Sequence, residues 1–222
     1  NKGDAIMVWS IVALEAVSFT ALLTLGAIRA GADIGLIVSL VKQGGIHMAF
    51  FENTRKPTGF GGRLMVAMMN IGHRALADWG LRFLPLAENA DVLDCGCGGG
   101  ANLRLMLKKC PTGKVCGIDY SLVSVEKSRK LNQTAISAGR CEVLQASVQA
   151  LPFDDAQFDV ATAFETVYFW VDLPACFREV GRVLKPGGTF FLCNESDGDH
   201  AQDEKWTEKI PGMTIYKDTQ LK

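Results

Sequence analysis

VLDCGCGGGANL, residues 92–103, runs from a short apolar stretch into a cluster of glycines and then into helical spacing. The acid Asp94 stands at the end of the apolar stretch, and Gly96, Gly98 and Gly100 follow in a turn that feeds a helix. Glycines are needed where the backbone takes positive φ or lets a ligand lie against the main chain. Taken alone the loop is ambiguous, because Gly96, Gly98 and Ala101 also satisfy the G-x-G-x-x-G/A dinucleotide fingerprint, in which a pyrophosphate sits on a helix N-terminus. Asp94 argues against that reading. A carboxylate at the strand end faces a pyrophosphate unfavourably, whereas it accepts hydrogen bonds from a cationic amino group. Downstream, KVCGID (114–119) ends in Asp119, an acid placed to recognise ribose hydroxyls in either kind of nucleotide site.

Outward from this loop the chain alternates strand and helix. CEVLQA (141–146), FDVATAF (158–164) and TFFLCN (189–194) read as buried strands, and residues 100–109, 121–138 and 173–184 as helices. Strands joined through helices run parallel, so the expected fold is α/β: a doubly wound, mostly parallel sheet. Upstream, residues 63–87 carry helical apolar spacing, and Pro57 and Gly59 interrupt a polar, glycine-rich stretch from Glu52 to Gly62. Three segments are expected: an apolar N-terminal extension, 1–45; a helical cap, 46–88; and the main domain, 89–222.

Residues 5–28 form an apolar run long enough to cross a bilayer, yet Glu15 near its middle is costly in hydrocarbon. Membrane association through 5–28 and packing as buried helices both remain open. If the run spans, the following Arg29, Lys42, Arg55, Lys56 and Arg63 put the domain on the cytoplasmic side. A signal peptide fits less well, since the run exceeds an ordinary h-region. The net charge is −1 with scattered basic residues, which speaks against a nucleic-acid partner. Seven cysteines without a CxxC pair read as reduced, buried and cytoplasmic. Cys95 and Cys97 flank a glycine with no second ligand pair at zinc spacing, so no metal is expected.

At this point the residues resemble a known family. DCGCGGG (94–100) resembles the E/D-x-G-x-G-x-G motif of class I S-adenosylmethionine (SAM) dependent methyltransferases, and GIDYS (117–121) their second-strand acid. QALPFDDAQFD (149–159) and REVGRVLKPGGTFFL (178–192) resemble later segments of the same family, in the expected order. The resemblance covers residues 90–195. FFENTRKPTGFGG (50–62) and MMNIGH (68–73) look like the N-terminal cap of a small-molecule subgroup.

The resemblance implies SAM as cofactor, held by Asp94, Gly96, Cys97, Gly98, Gly100, Asp119, Tyr120, Ser147, Val148 and Phe164. Ser147 is a departure, because many members have there an acid that contacts the adenine amino group. The implied activity is methyl transfer to an O, N or C nucleophile of a small molecule. AFETVYFW (163–170) should end in the crevice at the carboxyl ends of the strands, so Glu165, Tyr168 and Trp170 are expected to line the acceptor pocket. Transfer from a sulfonium mainly requires an aligned acceptor, so no catalytic residue is obligatory; Glu165 and His73 are the candidates. A non-catalytic SAM-binding module and an NAD-dependent oxidoreductase stand as alternatives. Family members order their strands 3-2-1-4-5-7-6, and this chain stops soon after the fifth. TFFLCN should therefore be an edge, shielded by the N-terminal run or by residues that a longer chain would supply.

Overall fold

Short strands rich in apolar residues, most of them followed by a helix, pack on both faces and so form the interior of a parallel sheet. The computed structural model describes residues 53–200 and 203–221. The strands are β1 (Val92–Cys95), β2 (Val115–Asp119), β3 (Cys141–Gln145), β4 (Phe158–Phe164) and β5 (Leu184–Cys193). Their order is β3-β2-β1-β4-β5, with every pairing parallel. The doubly wound sheet expected from the alternation is present.

The helices are α1 (Gly59–Gly72), α2 (Arg74–Gly80), α3 (Ala101–Lys109), α4 (Leu122–Leu131), α5 (Gln133–Ser137), α6 (Leu173–Val183), α7 (Asp203–Lys209) and α8 (Asp218–Leu221). Alternate strand residues feed two cores. Val92, Val115, Val143 and Val160 pack with Ala77, Leu103, Met106 and Val125 of α2, α3 and α4. Leu93, Cys116, Ile118 and Ala161 pack with Cys176, Val180 and Val183 of α6 on the other face. Helices α1 and α2 belong to the same compact unit as the sheet.

Two expected helices are each broken in two. The helix expected over 63–87 divides at His73, and that over 121–138 divides at Asn132. Asn132 is buried, and its Nδ2 donates to Gly100 O and Ser128 O, both at 3.0 Å. The last strand begins earlier than TFFLCN. Leu184 already pairs with Phe158, after which Val160 pairs with Thr189, so Lys185–Gly188 loop out of the ladder. Gly187 takes φ +80° there, and Lys185 Nζ reaches Asp159 at 2.9 Å and Asp91 at 3.4 Å.

No strand follows β5 among the described residues. Met213, Ile215 and Leu221 of the C-terminal stretch pack against the same core cluster as Phe190 and Leu192 of β5. Residues 5–28, with the membrane and shielding readings attached to them, lie outside the described residues. Among the described residues no helix is long and apolar enough to cross a membrane.

Arg182 ties α6 to the connection before β4. Its guanidinium donates to Leu151 O at 3.0 Å and Phe153 O at 2.8 Å, and pairs with Glu179 and Asp155. The Arg182 guanidinium, helped by the Leu151 N–H, holds Glu179 down from the usual 4.5 to about 2. A depressed carboxylate contributes stability above its unfolded pKa, lost as pH falls through the folded one. Urea-unfolding stability of the wild-type chain should therefore decline between pH 4.5 and about 2 with a component that Arg182→Ala removes. Equal pH slopes in the two proteins would show that the pair contributes nothing.

Candidate cofactor and acceptor site

The carboxyl ends of β1, β2 and β4 open into a cavity of about 340 Å3, roofed by residues from Thr54 to Arg74. Its floor is the glycine loop. Gly96 N–H and Cys97 N–H both donate to Ile118 O, at 2.9 and 2.8 Å, which folds the loop back over the end of β2. The glycines then divide by role. Gly96, at φ +88°, has Thr166 so close that an added Cβ would stand 2.2 Å from its Oγ1. A Cβ on Gly100, at φ +79°, would stand 2.3 Å from Ser128 Oγ, and one on Gly99 would meet the Asn70 side chain. Only Gly98, at φ +50°, has nothing within 4 Å of an added Cβ. It is the glycine whose absent side chain leaves room for a ligand.

Asp119 is buried beside it. Its Oδ2 accepts from Gly98 N–H at 2.9 Å and its Oδ1 from Ser121 N–H at 2.8 Å. Burial raises its pKa, and these backbone donors pull it back. Tyr120 is the next wall residue, its ring 5.7 Å from Lys56 Nζ and its hydroxyl donating to Arg55 O. Ala146, Ser147, Val148 and Gln149 continue that wall, with Ser147 Oγ accepting from Gln149 N–H at 3.2 Å. The serine therefore faces the site while spending one lone pair on its own turn.

At the far end stand Phe164, Glu165, Thr166 and Trp170. Trp170 is both wall and core: it is 8% exposed, stacks on Phe190 at 6.2 Å and meets Phe177 edge-on. His73, at the C-terminus of α1, also lines the cavity. Burial lowers its pKa, with Glu195 pulling it back up. Glu165 has φ +56°, a left-handed conformation rare for a residue with a side chain.

Three of the expected site residues do not line the cavity. Gly100 turns into the buried Ser128 and Asn132, as the start of α3. Tyr168 points behind Glu165, its hydroxyl accepting from Ser196 N–H at 3.0 Å. Asp94 lies beneath the loop at 1% exposure, where its Oδ1 accepts from Thr162 Oγ1 at 2.8 Å. Its Oδ2 is buried with no partner. Burial pushes this carboxyl up to about 7, the Thr162 hydroxyl opposing and Asp119 adding to the rise. Conversely, Asn70, Met69 and Thr166 line the site without having been singled out. Asn70 Nδ2 donates to Gly99 O at 3.2 Å, joining the roof to the floor.

Residues 93–192 match the family model described as a methyltransferase domain. Over these residues the chain carries a methyltransferase domain. Cycloartenol-C-24-methyltransferase 1 of Oryza sativa subsp. japonica is 33% identical over 118 residues, 53% of this chain and 34% of that protein. The 2-phytyl-1,4-naphtoquinone methyltransferase of Nostoc punctiforme is 34% identical over 116 residues, covering 52% of this chain and 50% of its own. The chain thus spans half the length or less of these curated relatives. Among solved structures, the Haloferax volcanii complex of the Trm112 methyltransferase activator with a candidate methyltransferase superposes with a TM-score of 0.65 at 26% identity. That alignment covers 78% of this chain and 71% of the other. The gap at Gly98 and the Asp119 carboxylate fit SAM, whereas Asp94 lies sealed beneath the loop.

The division among the glycines is open to test. Gly96→Ala should lower the urea midpoint strongly, since left-handed backbone costs about 1–2 kcal/mol and the Thr166 clash adds to it. Gly98→Ala should bear the backbone cost alone and weaken cofactor binding more than it weakens the fold. A Gly96→Ala protein as stable as Gly98→Ala would remove the distinction.

Proposed function

We propose that this chain transfers the methyl group of SAM to a nucleophile of a small molecule. The observation that carries the reading is electrostatic. Two carboxylates, Asp94 and Asp119, lie under and beside the glycine loop, close enough that the Asp119 charge opposes ionisation of Asp94, and no cation pairs with either among the described residues. Such a loop repels a pyrophosphate and favours a cationic ligand. When bound, SAM supplies an electrophilic methyl group on a positively charged sulfur.

The chain's own residues divide the remaining work. Asp119 takes ribose hydroxyls, and Tyr120, Ser147 and Val148 enclose the adenine, with Ser147 in the position that often carries an acid. Asp94 fixes charge beneath the loop, and Gly96, Cys97, Gly98 and Phe164 shape the space for the methionine portion. Glu165, Thr166 and Trp170 face the acceptor, and closure by the roof excludes water from it. The names of the relatives, one a sterol and one a phytyl naphthoquinone methyltransferase, support an apolar acceptor, as do Phe169 and Trp170. Segments 1–45, 46–88 and 89–222 are assigned as apolar extension, cap and catalytic domain. The free, buried cysteines support a cytoplasmic setting, and the apolar 5–28 run supports attachment of the domain to a membrane. Fractionation of cells with and without residues 1–45 tests that attachment.

Calorimetry checks the cofactor directly. SAM and its demethylated product should bind with affinity on the order of micromolar, ΔG about −8 kcal/mol, while NAD shows no saturable binding. Asp119→Ala removes charge-assisted bonds worth about 1.5–3 kcal/mol, so affinity should fall by roughly 10- to 150-fold. Tight NAD binding, or a change under about threefold, would reject the reading.

A further inference from the structure

Glu165 is the acidic side chain at the acceptor end of the cavity, and its two oxygens are in unequal positions. Oε1 accepts from Glu195 N–H and, at 3.2 Å, from the Tyr168 hydroxyl. Oε2 has no hydrogen-bond partner among the described residues and is not among the sealed, unsatisfied atoms. With Oε1 committed and Glu165 lining the cavity, Oε2 is the oxygen left for whatever enters. The left-handed backbone at φ +56° turns the residue out of the line of β4, while its N–H is held by Cys193 O at 3.0 Å. A strained backbone held by a bond to the neighbouring strand, with one oxygen pinned and the other free, is how a reacting group is kept in place.

Tyr168 supplies the pin. It sits in the 3-10 turn Val167–Phe169 that follows, behind the carboxylate, where burial and the Glu165 charge keep its phenol protonated and therefore a donor. The other groups that face this carboxylate are Glu195 and Cys193 at the end of β5; His73 faces Glu195. No cation pairs with Glu165 among the described residues.

We propose that Glu165 removes the proton from a hydroxyl group of a planar, apolar acceptor and that Tyr168 acts as the positioning residue for its carboxylate. The inference rests on the SAM reading above and names the acceptor class for it. The acceptor oxygen forms the new O–CH3 bond as the S–CH3 bond breaks and its electron pair returns to sulfur; the hydroxyl proton passes to Glu165 Oε2. Charge is balanced, for a sulfonium and a carboxylate are replaced by a neutral thioether and a neutral carboxylic acid. A hydroxyl suits this end because its proton has the free Oε2 to pass to, while Phe169, Trp170 and Val171 line the space around an apolar ring. Burial first, then the Glu195 charge, lifts the Glu165 pKa to about 8, near the value at which a general base works best at neutral pH.

The test uses the full chain, SAM and a series of substituted phenols of graded acidity, beside a matching series of aromatic amines. The wild type should methylate phenols, with a rate that rises with pH through an inflection near 8. Glu165→Gln should abolish the inflection and slow transfer by about 100- to 10,000-fold, most for the least acidic phenols. Tyr168→Phe removes a donor that favours the charged form, so the inflection should move upward. Infrared titration of protein carrying 13C-carboxyl glutamate, with S-adenosylhomocysteine bound, should show one carboxyl band absent in Glu165→Gln and displaced upward in Tyr168→Phe. Methylation of the amines alone, a loss in Glu165→Gln indifferent to phenol acidity, or an unmoved band in Tyr168→Phe would overturn the proposal. Calorimetry with S-adenosylhomocysteine separates the two layers: both variants should bind it as the wild type does, and a wild type that fails to bind it overturns the SAM reading and this proposal with it.

Discussion

A single buried carboxylate, Asp119, holds together two reversals of the chain that have no covalent reason to meet. In a parallel sheet every strand leaves by the same end, so the loops after β1 and β2 crowd one edge and their backbone donors need acceptors. Asp119 answers both with separate oxygens, one for Gly98 N–H and one for Ser121 N–H. Its burial is unfavourable, and the two charge-assisted bonds offset it. The glycine loop then has a fixed height over β2, and the floor of the cavity follows from it.

The roof is attached to the same construction by short polar contacts. Ser121 Oγ donates to Pro57 O at 2.7 Å, Tyr120 to Arg55 O, and Asn70 to Gly99 O. All three acceptors are backbone carbonyls, two in the segment entering α1 and one in the loop. Bonds of this kind contribute about 0.5–1.5 kcal/mol each, and the buried Met65 and Val66 of α1 add apolar contact to them.

The sheet was readable because each strand is a short apolar stretch bounded by turn residues, and because the strand and helix signals alternate. The helix breaks were not, since His73 and Asn132 sit within acceptable helical spacing and only tertiary contacts decide them; for Asn132 the partner is Gly100, far away in sequence. Of Glu165, Tyr168 and Trp170 in AFETVYFW, Glu165 and Trp170 line the cavity and Tyr168 does not. Glu165 turns out of β4 with a left-handed backbone and the 3-10 turn Val167–Phe169 follows at once, so the Tyr168 hydroxyl comes to Glu165 Oε1 from behind. Thr166 and Asn70 gave no signal at all. Their importance comes from standing against Gly96 and Gly99, contacts that exist only after the chain has folded.

The two ends of the cavity are held by different regions of the chain. The cofactor end rests on β1, β2 and the roof before them, through Asp119, Gly98 and Asn70. The acceptor end rests on the segments C-terminal to β4: Glu165 is held by Cys193 O and Glu195 N–H at the exit of β5, and Tyr168 accepts Thr214 N–H on its carbonyl at 2.8 Å. Met213 and Ile215 pack into the same cluster as Trp170. Changes in the C-terminal stretch therefore act on the acceptor wall through Tyr168 and Trp170. They meet the glycine loop through Thr166, whose Oγ1 accepts from Trp170 Nε1 at 3.3 Å and which stands against Gly96, so a substitution in that stretch and one in the loop share a partner and should couple.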